Sequence, residues 1–357
     1  MKPGGAGGAR RTAPRDVAIV AFARSDHRGA AEGLSETEML LPVLHAALEQ
    51  AGLAPGEADF TCSGSSDYLA GRPFSFTQTL DGVGAWPPVA ESHVEADGAW
   101  ALFEAWVKIL TGRADTALVY AHGKPSAGPL RDVLTRQLDP YYVAPLWPDS
   151  VSLAALQAQA LIDAGHTDEE ALAVLARRGG DDAPAGEYVV RPLRAGDCPA
   201  VTDGAAAVVL AAADTARRMC ARPAWIRGID HRIEAQALGL RDLTDSPSTR
   251  LAAERAGAFR APVDTAELHA PFTSQEVVLR RALRLDDTVA VNPSGGAHAA
   301  DPVMATGLIR LGEAAARIHR GASDRALAHA TSGPCLQHNL VAVLEGETEG
   351  ETKGEAR

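Results

Sequence analysis

The sequence predicts an α/β fold, a mainly parallel sheet covered by helices on both faces. Short apolar runs at Val17–Ala23, Thr116–Gly123 and Thr202–Ala212 have the length and composition of fully buried strands. They alternate with segments of helical periodicity, the pattern of βα units. The alternation runs twice, on either side of a less regular stretch from Lys124 to Cys198, which suggests a duplicated α/β half with an insertion packed over it.

In chain order, residues 1–16 are rich in Gly, Ala and Arg without periodicity and read as a disordered leader. Val17–Ala23 is a strand, and Ser35–Gly52 a helix that Ser35 and Glu38 can cap at capping-box spacing and Gly52 can close. Ala58–Ser66 reads as a strand with a small-residue turn. Ser92–Trp106, "SHVEADGAWALFEAW", opens a helix on two acids and a glycine. Its Ala99, Leu102, Phe103, Trp106, Val107 and Leu110 follow core-helix spacing. Thr116–Gly123 is the next strand. The insertion holds helical patterns at Leu153–Gly165 and Thr167–Gly179, then a Gly/Pro/Asp-rich stretch. A strand at Thr202–Ala212 and a helix at Asp214–Ala221 close the first round. The second places strands at Ala224–Glu234 and Val263–Phe272, a helix at Ser274–Leu285, a strand and glycine loop at Val289–Gly296 and a helix at Asp301–Gly321. Final strands lie at Arg325–Ser332 and Leu340–Gly346, followed by a charged, disordered tail, 347–357. The expected units are therefore 17–123 with 199–222, an insertion 124–198, and 223–346.

The composition is that of a globular protein, and 357 residues suffice for two cores or one large layered domain. A net charge of -12 argues against a general nucleic-acid surface but leaves room for a small basic pocket. Cys62, Cys198, Cys220 and Cys335 lie far apart with no CxxC pair, which suits a reducing cytoplasm and neither a disulfide framework nor a zinc site. No signal segment or membrane-spanning apolar run is evident. "NPSGG" lacks the GK[ST] of a phosphate loop, so nucleotide hydrolysis is not expected.

Four ordered blocks resemble the thiolase superfamily. "NPSGGAHAADPVMATG" (Asn292–Gly307) is similar to its Asn-x-x-Gly-Gly…Gly-His-Pro…Gly-Ala-Thr-Gly block. "LHAPF" (Leu268–Phe272) resembles the His-Asp-x-Phe block of sterol-carrier-protein thiolases, and "VTDGAAAVVLAA" (Val201–Ala212) the Thr/Ser-Asp-Gly-Ala-Ala strand. "ALAHATSGPCLQHNLVAVLEG" (Ala326–Gly346) resembles the closing strands and last glycine loop. The blocks cover about Val17 to Gly346. "CSGSSDYLAGR", "LDPYYVAPLWPDSVS" and "NPSGGA" look most like the lipid-transfer-protein subgroup of actinobacterial steroid catabolism. The resemblance implies the five-layered αβαβα thiolase fold, made of two similar halves plus a loop domain (124–198), and usually a dimer.

The departures concern chemistry. The family's nucleophilic cysteine would stand at the N-terminus of the helix in Ser92–Trp106, where the helix dipole favours a thiolate. The matching region offers Glu95 or Asp97. Asp301 replaces the histidine of Gly-His-Pro, and Ala300 the glycine before it. The Cys-x-Gly base falls near Thr331-Ser332-Gly333. His269 survives, followed by Ala270 where the family has Asp. Acyl-enzyme chemistry needs both cysteines, so ordinary acetyltransferase activity is not expected.

Each candidate has a plainer alternative. Asp97 is a general base or a helix N-cap, and Glu95 faces the pocket or solvent. His269 is an oxyanion-hole donor by resemblance, or a satisfied polar residue at a strand end. Asp301 is an acid or base, or a cap before Pro302 at the first helical position. His298 could supply an imidazole to the same pocket, Asn292 more simply holds its loop, and Gly295 and Gly296 allow close backbone approach to the pocket. Ser332 and Gly333 are expected to touch substrate. Cys335 is a functional thiol or a buried small residue, and Tyr68 and Tyr141 are hydroxyl donors or packing residues. Lys124, Arg131 and Arg136 could meet the phosphates of a bound CoA.

The expected activity is retro-aldol cleavage of a steroid or branched β-hydroxyacyl-CoA, with His269 at the oxyanion and Asp301 or Asp97 as base. CoA enters only as part of the substrate, and no other cofactor or metal is expected. Expected partners are the acyl-CoA thioester, a second copy or a related thiolase-like chain, and an OB-fold/zinc-ribbon protein of the DUF35 type. The alternative from another class is a non-catalytic acyl-CoA-binding or lipid-transfer subunit of a heteromer. A third reading, a true thiolase using Cys335 or Cys62, requires a reactive thiol.

Overall fold

The structure is a computed structural model that describes residues 14–26, 29–177 and 186–347. Most of the expected leader, all but the first residue of the expected tail, and part of the Gly/Pro/Asp-rich stretch lie outside the described residues. The first round runs β1 (Val17–Arg24), α1 (Glu36–Ala51), β2 (Phe60–Gly64), α2 (Asp67–Ala70), β3 (Glu91–Val94), α3 (Gly98–Leu110) and β4 (Thr116–Gly123). There follow α4 (Leu130–Arg136), α5 (Ser150–Asp163), α6 (Glu169–Ala176) and a small hairpin of β5 (Tyr188–Val190) and β6 (Leu193–Arg194). β7 (Gly204–Ala212) and α7 (Ala213–Met219) end the round. The second comprises β8 (Ala224–Ile233), α8 (Pro247–Ala256), β9 (Thr265–Leu268), α9 (Thr273–Leu283), β10 (Ala290–Val291), α10 (Gly296–Ala299), α11 (Thr306–His319), β11 (Arg325–Ser332) and β12 (His338–Glu345).

The strands repeat one topology. In the sheet order β10-β9-β11-β12-β8-β1-β7-β4-β2-β3, the second round mirrors the first about the β8–β1 junction. In each round the outer strand pairs are parallel and the inner ones antiparallel. The sheet is thus mixed rather than mainly parallel as expected. The reason is connection length: the turn at 333–337 is too short for a crossover, so β12 must return antiparallel to β11.

Side-chain alternation builds the layers. In β4, Ala117, Val119 and Ala121 face the central core while Leu118 and Tyr120 face the one under α1. In β12, Leu340, Ala342 and Leu344 face the central core while Val341 and Val343 face α8 and α9. α3 and α11 fill the centre between the two sheet portions, α1 covers one outer face, and α8 and α9 cover the other. The succession is helix, sheet, helix, sheet, helix. Ser35 and Glu38 make both bonds of a capping box on α1, and its buried Leu40, Leu44 and Leu48 each contribute about 2 kcal/mol to the outer core.

Two glycines let the central helices meet. A Cβ on Gly98 would lie 2.5 Å from the Ala121 methyl, and one on Gly307 would lie 2.4 Å from Asp97 Oδ1. The final helix starts later than expected: Asp301 N–H donates to the Ala200 carbonyl, residues 302–305 form a turn, and α11 opens at Thr306. Asp301 is therefore not the cap of that helix. It sits in a one-residue bridge to Val201, with one oxygen accepting from Thr306 Oγ1 at 2.6 Å. Among the described residues no helix is long and apolar enough to cross a membrane, and no group of three His, Cys, Asp or Glu could hold a metal ion.

Candidate active site

The parallel strands β9 and β11 run side by side and end at one cavity of about 840 Å³. A cavity beyond the carboxyl ends of parallel strands is where α/β sheets place ligands. Its floor comes from the central helices and strand ends: Asp97, His269, Asp301, Thr331 and Ser332. The insertion supplies the facing wall, largely apolar, with Leu130, Leu134, Leu138, Val143, Val151 and Leu153. Such a cavity suits a bulky apolar group oriented by a few polar ones.

Asp97 is the N-cap of α3, and its carboxylate also reaches a second helix. Oδ1 accepts from Ala99 N–H at 2.8 Å and Leu308 N–H at 3.1 Å, and Oδ2 accepts from Gly307 N–H at 2.8 Å. One buried carboxylate thus ties together the N-termini of α3 and α11. Burial pushes its pKa up to about 7, against the three N–H donors that hold it down, and Asp301 adds to the rise. The remaining first-turn donors of α3 are also engaged: Gly98 N–H with the Met304 carbonyl and Trp100 N–H with the Asp97 carbonyl. The donors a helix N-terminus could offer a thiolate are occupied.

His269 follows β9 and is 7% exposed. Its Nδ1 accepts from Thr331 N–H at 3.4 Å, which leaves the ring proton on Nε2. Nε2 stands 3.8 Å from Asp301 Oδ1. Burial, with His329 and Arg310 nearby, holds the imidazole pKa well below its usual range, so the ring is a neutral donor. Burial raises the Asp301 carboxyl to about 6, opposed by its Thr306 bond and by Arg310.

The other sequence candidates divide. Ser332 and Gly333 line the cavity with His269, Asp97 and Asp301, whereas Glu95, His298, Asn292, Gly295 and Gly296 do not. Glu95 is exposed and accepts from Asp67 N–H at 2.7 Å, at the start of α2. Asn292 holds its loop, accepting from Leu268 N–H at 2.6 Å. Gly295 and Gly296 have φ of 95° and 64° and approach Ala299 and Asn292 rather than the cavity. His298 sits by Cys198, with Nε2 buried and unbonded among the described residues. Lys124 donates to the Ala31 and Leu34 carbonyls, so its ammonium is spent inside the fold. Arg131 lines the cavity beside Asp149, whereas Arg136 lies over Trp147. Tyr68 and Tyr141 are exposed and off the cavity. Cys198 and Cys335 do line it, but burial pushes both thiols up to about 11. Cys62 is in the core with its thiol pushed up to about 12.

Sequence reading missed the group behind the floor. Glu267, fully buried on β9, takes Arg310 Nη1 at 3.0 Å and Ser294 Oγ at 2.6 Å, which locks strand, helix and loop together. An acidic residue inside an apolar strand was the available signal.

This layering, with paired central helices under a cavity at the strand ends, is the thiolase fold. The chain superposes on human mitochondrial 3-ketoacyl-CoA thiolase in complex with CoA with a TM-score of 0.73, covering 94% of this chain and 98% of that one at 17% identity. It superposes on the Ltp2-ChsH2(DUF35) aldolase with a TM-score of 0.74, covering 95% of this chain and 100% of that one, also at 17% identity. By sequence it is 30% identical over 180 residues to the acetyl-CoA acetyltransferase of Methanothermobacter thermautotrophicus, 43% of this chain and 45% of that protein. It is 33% identical over 132 residues to the 3-oxoadipyl-CoA/3-oxo-5,6-dehydrosuberyl-CoA thiolase of Escherichia coli, 36% of this chain and 32% of that protein. The chain therefore matches less than half the length of these curated relatives. No family model matches the sequence.

Proposed function

We propose that this chain is a thiolase-superfamily protein of the lipid-transfer-protein subgroup that cleaves a steroid or branched β-hydroxyacyl-CoA by a retro-aldol reaction. The observation that carries the reading is a neutral His269 and the buried Asp301 facing one apolar cavity whose thiols are protonated at neutral pH. Asp301 takes the β-hydroxyl proton. The bond between the α and β carbons breaks, its electron pair moves onto the thioester carbonyl, and the β carbon becomes a ketone or aldehyde. His269 Nε2–H donates to the resulting enolate oxygen. The proton held by Asp301 returns to the α carbon, which releases a shortened acyl-CoA. No acyl-enzyme forms and no water is consumed. Asp97, with both oxygens engaged by backbone N–H groups, positions the floor rather than acting as base.

The likeness to the Ltp2-ChsH2(DUF35) aldolase supports the lyase reading and an OB-fold/zinc-ribbon partner of the DUF35 type, beside a second copy or a related thiolase-like chain. The test is turnover of β-hydroxyacyl-CoA thioesters by the purified chain, alone and with such a partner, followed as ketone and shortened acyl-CoA. Iodoacetamide is expected to leave the rate unchanged. An acyl adduct on Cys198 or Cys335 during turnover would replace this mechanism with a thiolase's. Activity that needs a partner and survives both His269→Ala and Asp301→Ala would make the chain a binding subunit.

The reaction has a pH signature. A base must be ionised, so kcat/KM is expected to rise with pH through about 6, as Asp301 loses its proton. His269 is already neutral there and adds no limb of its own between pH 6 and 8. A flat profile from pH 5 to 8 would exclude Asp301 as the base.

A further inference from the structure

The cavity wall after β11 carries an unusual backbone. Gly333, Cys335 and Leu336 have φ of 74°, 53° and 57°, and two of these are side-chain-bearing residues in the left-handed region. Such residues hold that shape only where their surroundings impose it. The carbonyls of this segment are taken by side chains from elsewhere. Arg241, just beyond the turn Leu238–Leu240, donates Nη1 to the Pro334 carbonyl at 3.0 Å and Nη2 to the Cys335 carbonyl. Asn339 Nδ2 donates to the Leu336 carbonyl at 2.8 Å. Arg241 is itself fixed: its side chain is 4% exposed and its Nε donates to Glu234 Oε2 at 3.4 Å. Glu234 is held in turn by Ser248 N–H at 3.1 Å and by Ser248 Oγ. Its backbone N–H donates to the Gln337 carbonyl at 2.9 Å.

We infer that Arg241 is a positioning residue: its guanidinium bridges two consecutive carbonyls of the wall 332–337 and holds that wall in the shape that receives the acyl group. The inference rests on the cavity being the thioester site. It predicts a binding role, because Ser332, Gly333, Pro334, Cys335 and Gln337 line the cavity while Arg241 does not. A lysine can keep the ion pair with Glu234 but lacks the planar fork that spans two carbonyls.

Cys335 supplies a readout independent of the reaction, since it is buried and its Sγ donates to the Leu153 carbonyl at 3.4 Å. The full-length wild type, Arg241→Ala and Arg241→Lys would be treated with iodoacetamide and labelling followed at each cysteine by peptide mass spectrometry. Cys220, off the cavity, is the internal reference. Arg241→Ala is expected to speed Cys335 labelling at least about tenfold as the wall opens, with Cys220 unchanged and Arg241→Lys in between. With a β-hydroxyacyl-CoA substrate, KM is expected to rise about tenfold while kcat stays within about twofold. Unchanged Cys335 labelling in both variants would overturn the strut. Faster labelling with an unaltered KM would overturn its binding role. If the wild type shows no turnover, the proposed reaction fails while the labelling still decides what Arg241 does. If Arg241→Ala does not fold, Arg241→Lys carries both readouts.

Discussion

Asp97→Ala is expected to lower the free energy of unfolding by about 3–9 kcal/mol, because three buried N–H groups lose the carboxylate that accepts from them and each orphaned group costs about 1–3 kcal/mol. The loss falls at the contact of α3 with α11, so it is shared by both sheet portions that pack on those helices. Asp97→Asn separates charge from geometry. Its amide oxygen can still accept from Ala99 and Leu308, but its NH₂ would face the Gly307 N–H, donor against donor. An intermediate loss of about 1–3 kcal/mol is expected there. Urea titration of the three proteins checks the order. An alanine variant within about 1 kcal/mol of wild type would mean that water or backbone shift satisfies those donors, and the clamp would lose its meaning.

The same residue shows how far sequence reading goes. "EADGAW" offered an N-cap by local rule, and the structure has that cap. That the carboxylate also reaches Gly307 and Leu308, some 210 residues away, has no local signature, because it depends on two helices meeting end to end. Gly98 and Gly307 are its only trace in the chain, and a glycine says that something comes close without saying what. The α/β class and the repeat were legible because burial on both strand faces leaves continuous apolar runs. The antiparallel members were not, since strand direction depends on where the chain returns.

Among candidate residues, those beside strand ends line the cavity, and those in the glycine loop do not. His269, Asp301, Ser332 and Gly333 reach the cavity because β9, β11 and the turn before α11 all finish there. Gly295 and Gly296 were expected to allow close approach to the pocket, but the left-handed turn they form brings them against Ala299 and Asn292 instead, while Asn292 holds the loop by accepting from Leu268 N–H. Arg241 stayed invisible because a buried charge outside a regular strand cannot be told from a surface charge by type alone, and its partners reveal it, whereas Glu267 had its place in a strand as a signal.

His269→Ala is expected to lower kcat by about 10²–10³-fold, or about 2.7–4 kcal/mol in the barrier, the usual cost of removing one donor from an oxyanion site. The cost belongs mainly to the reaction rather than the fold: among the described residues the imidazole's hydrogen bond is the long 3.4 Å one from Thr331 N–H, and the ring borders the cavity, so thermal stability should change far less than the rate. KM should also stay near its wild-type value, because the donor is needed most where charge develops on the thioester oxygen. His269→Gln tests the tautomer. Its amide N–H can reach toward the Nε2 position without an ionisable ring, so part of the rate should return. The rise of kcat/KM through about 6 should persist in the glutamine protein, since that limb comes from Asp301. If the limb vanished with the imidazole, His269 would be the titrating base and the two roles would exchange. A kcat equal to wild type in His269→Ala would place the oxyanion elsewhere in the cavity.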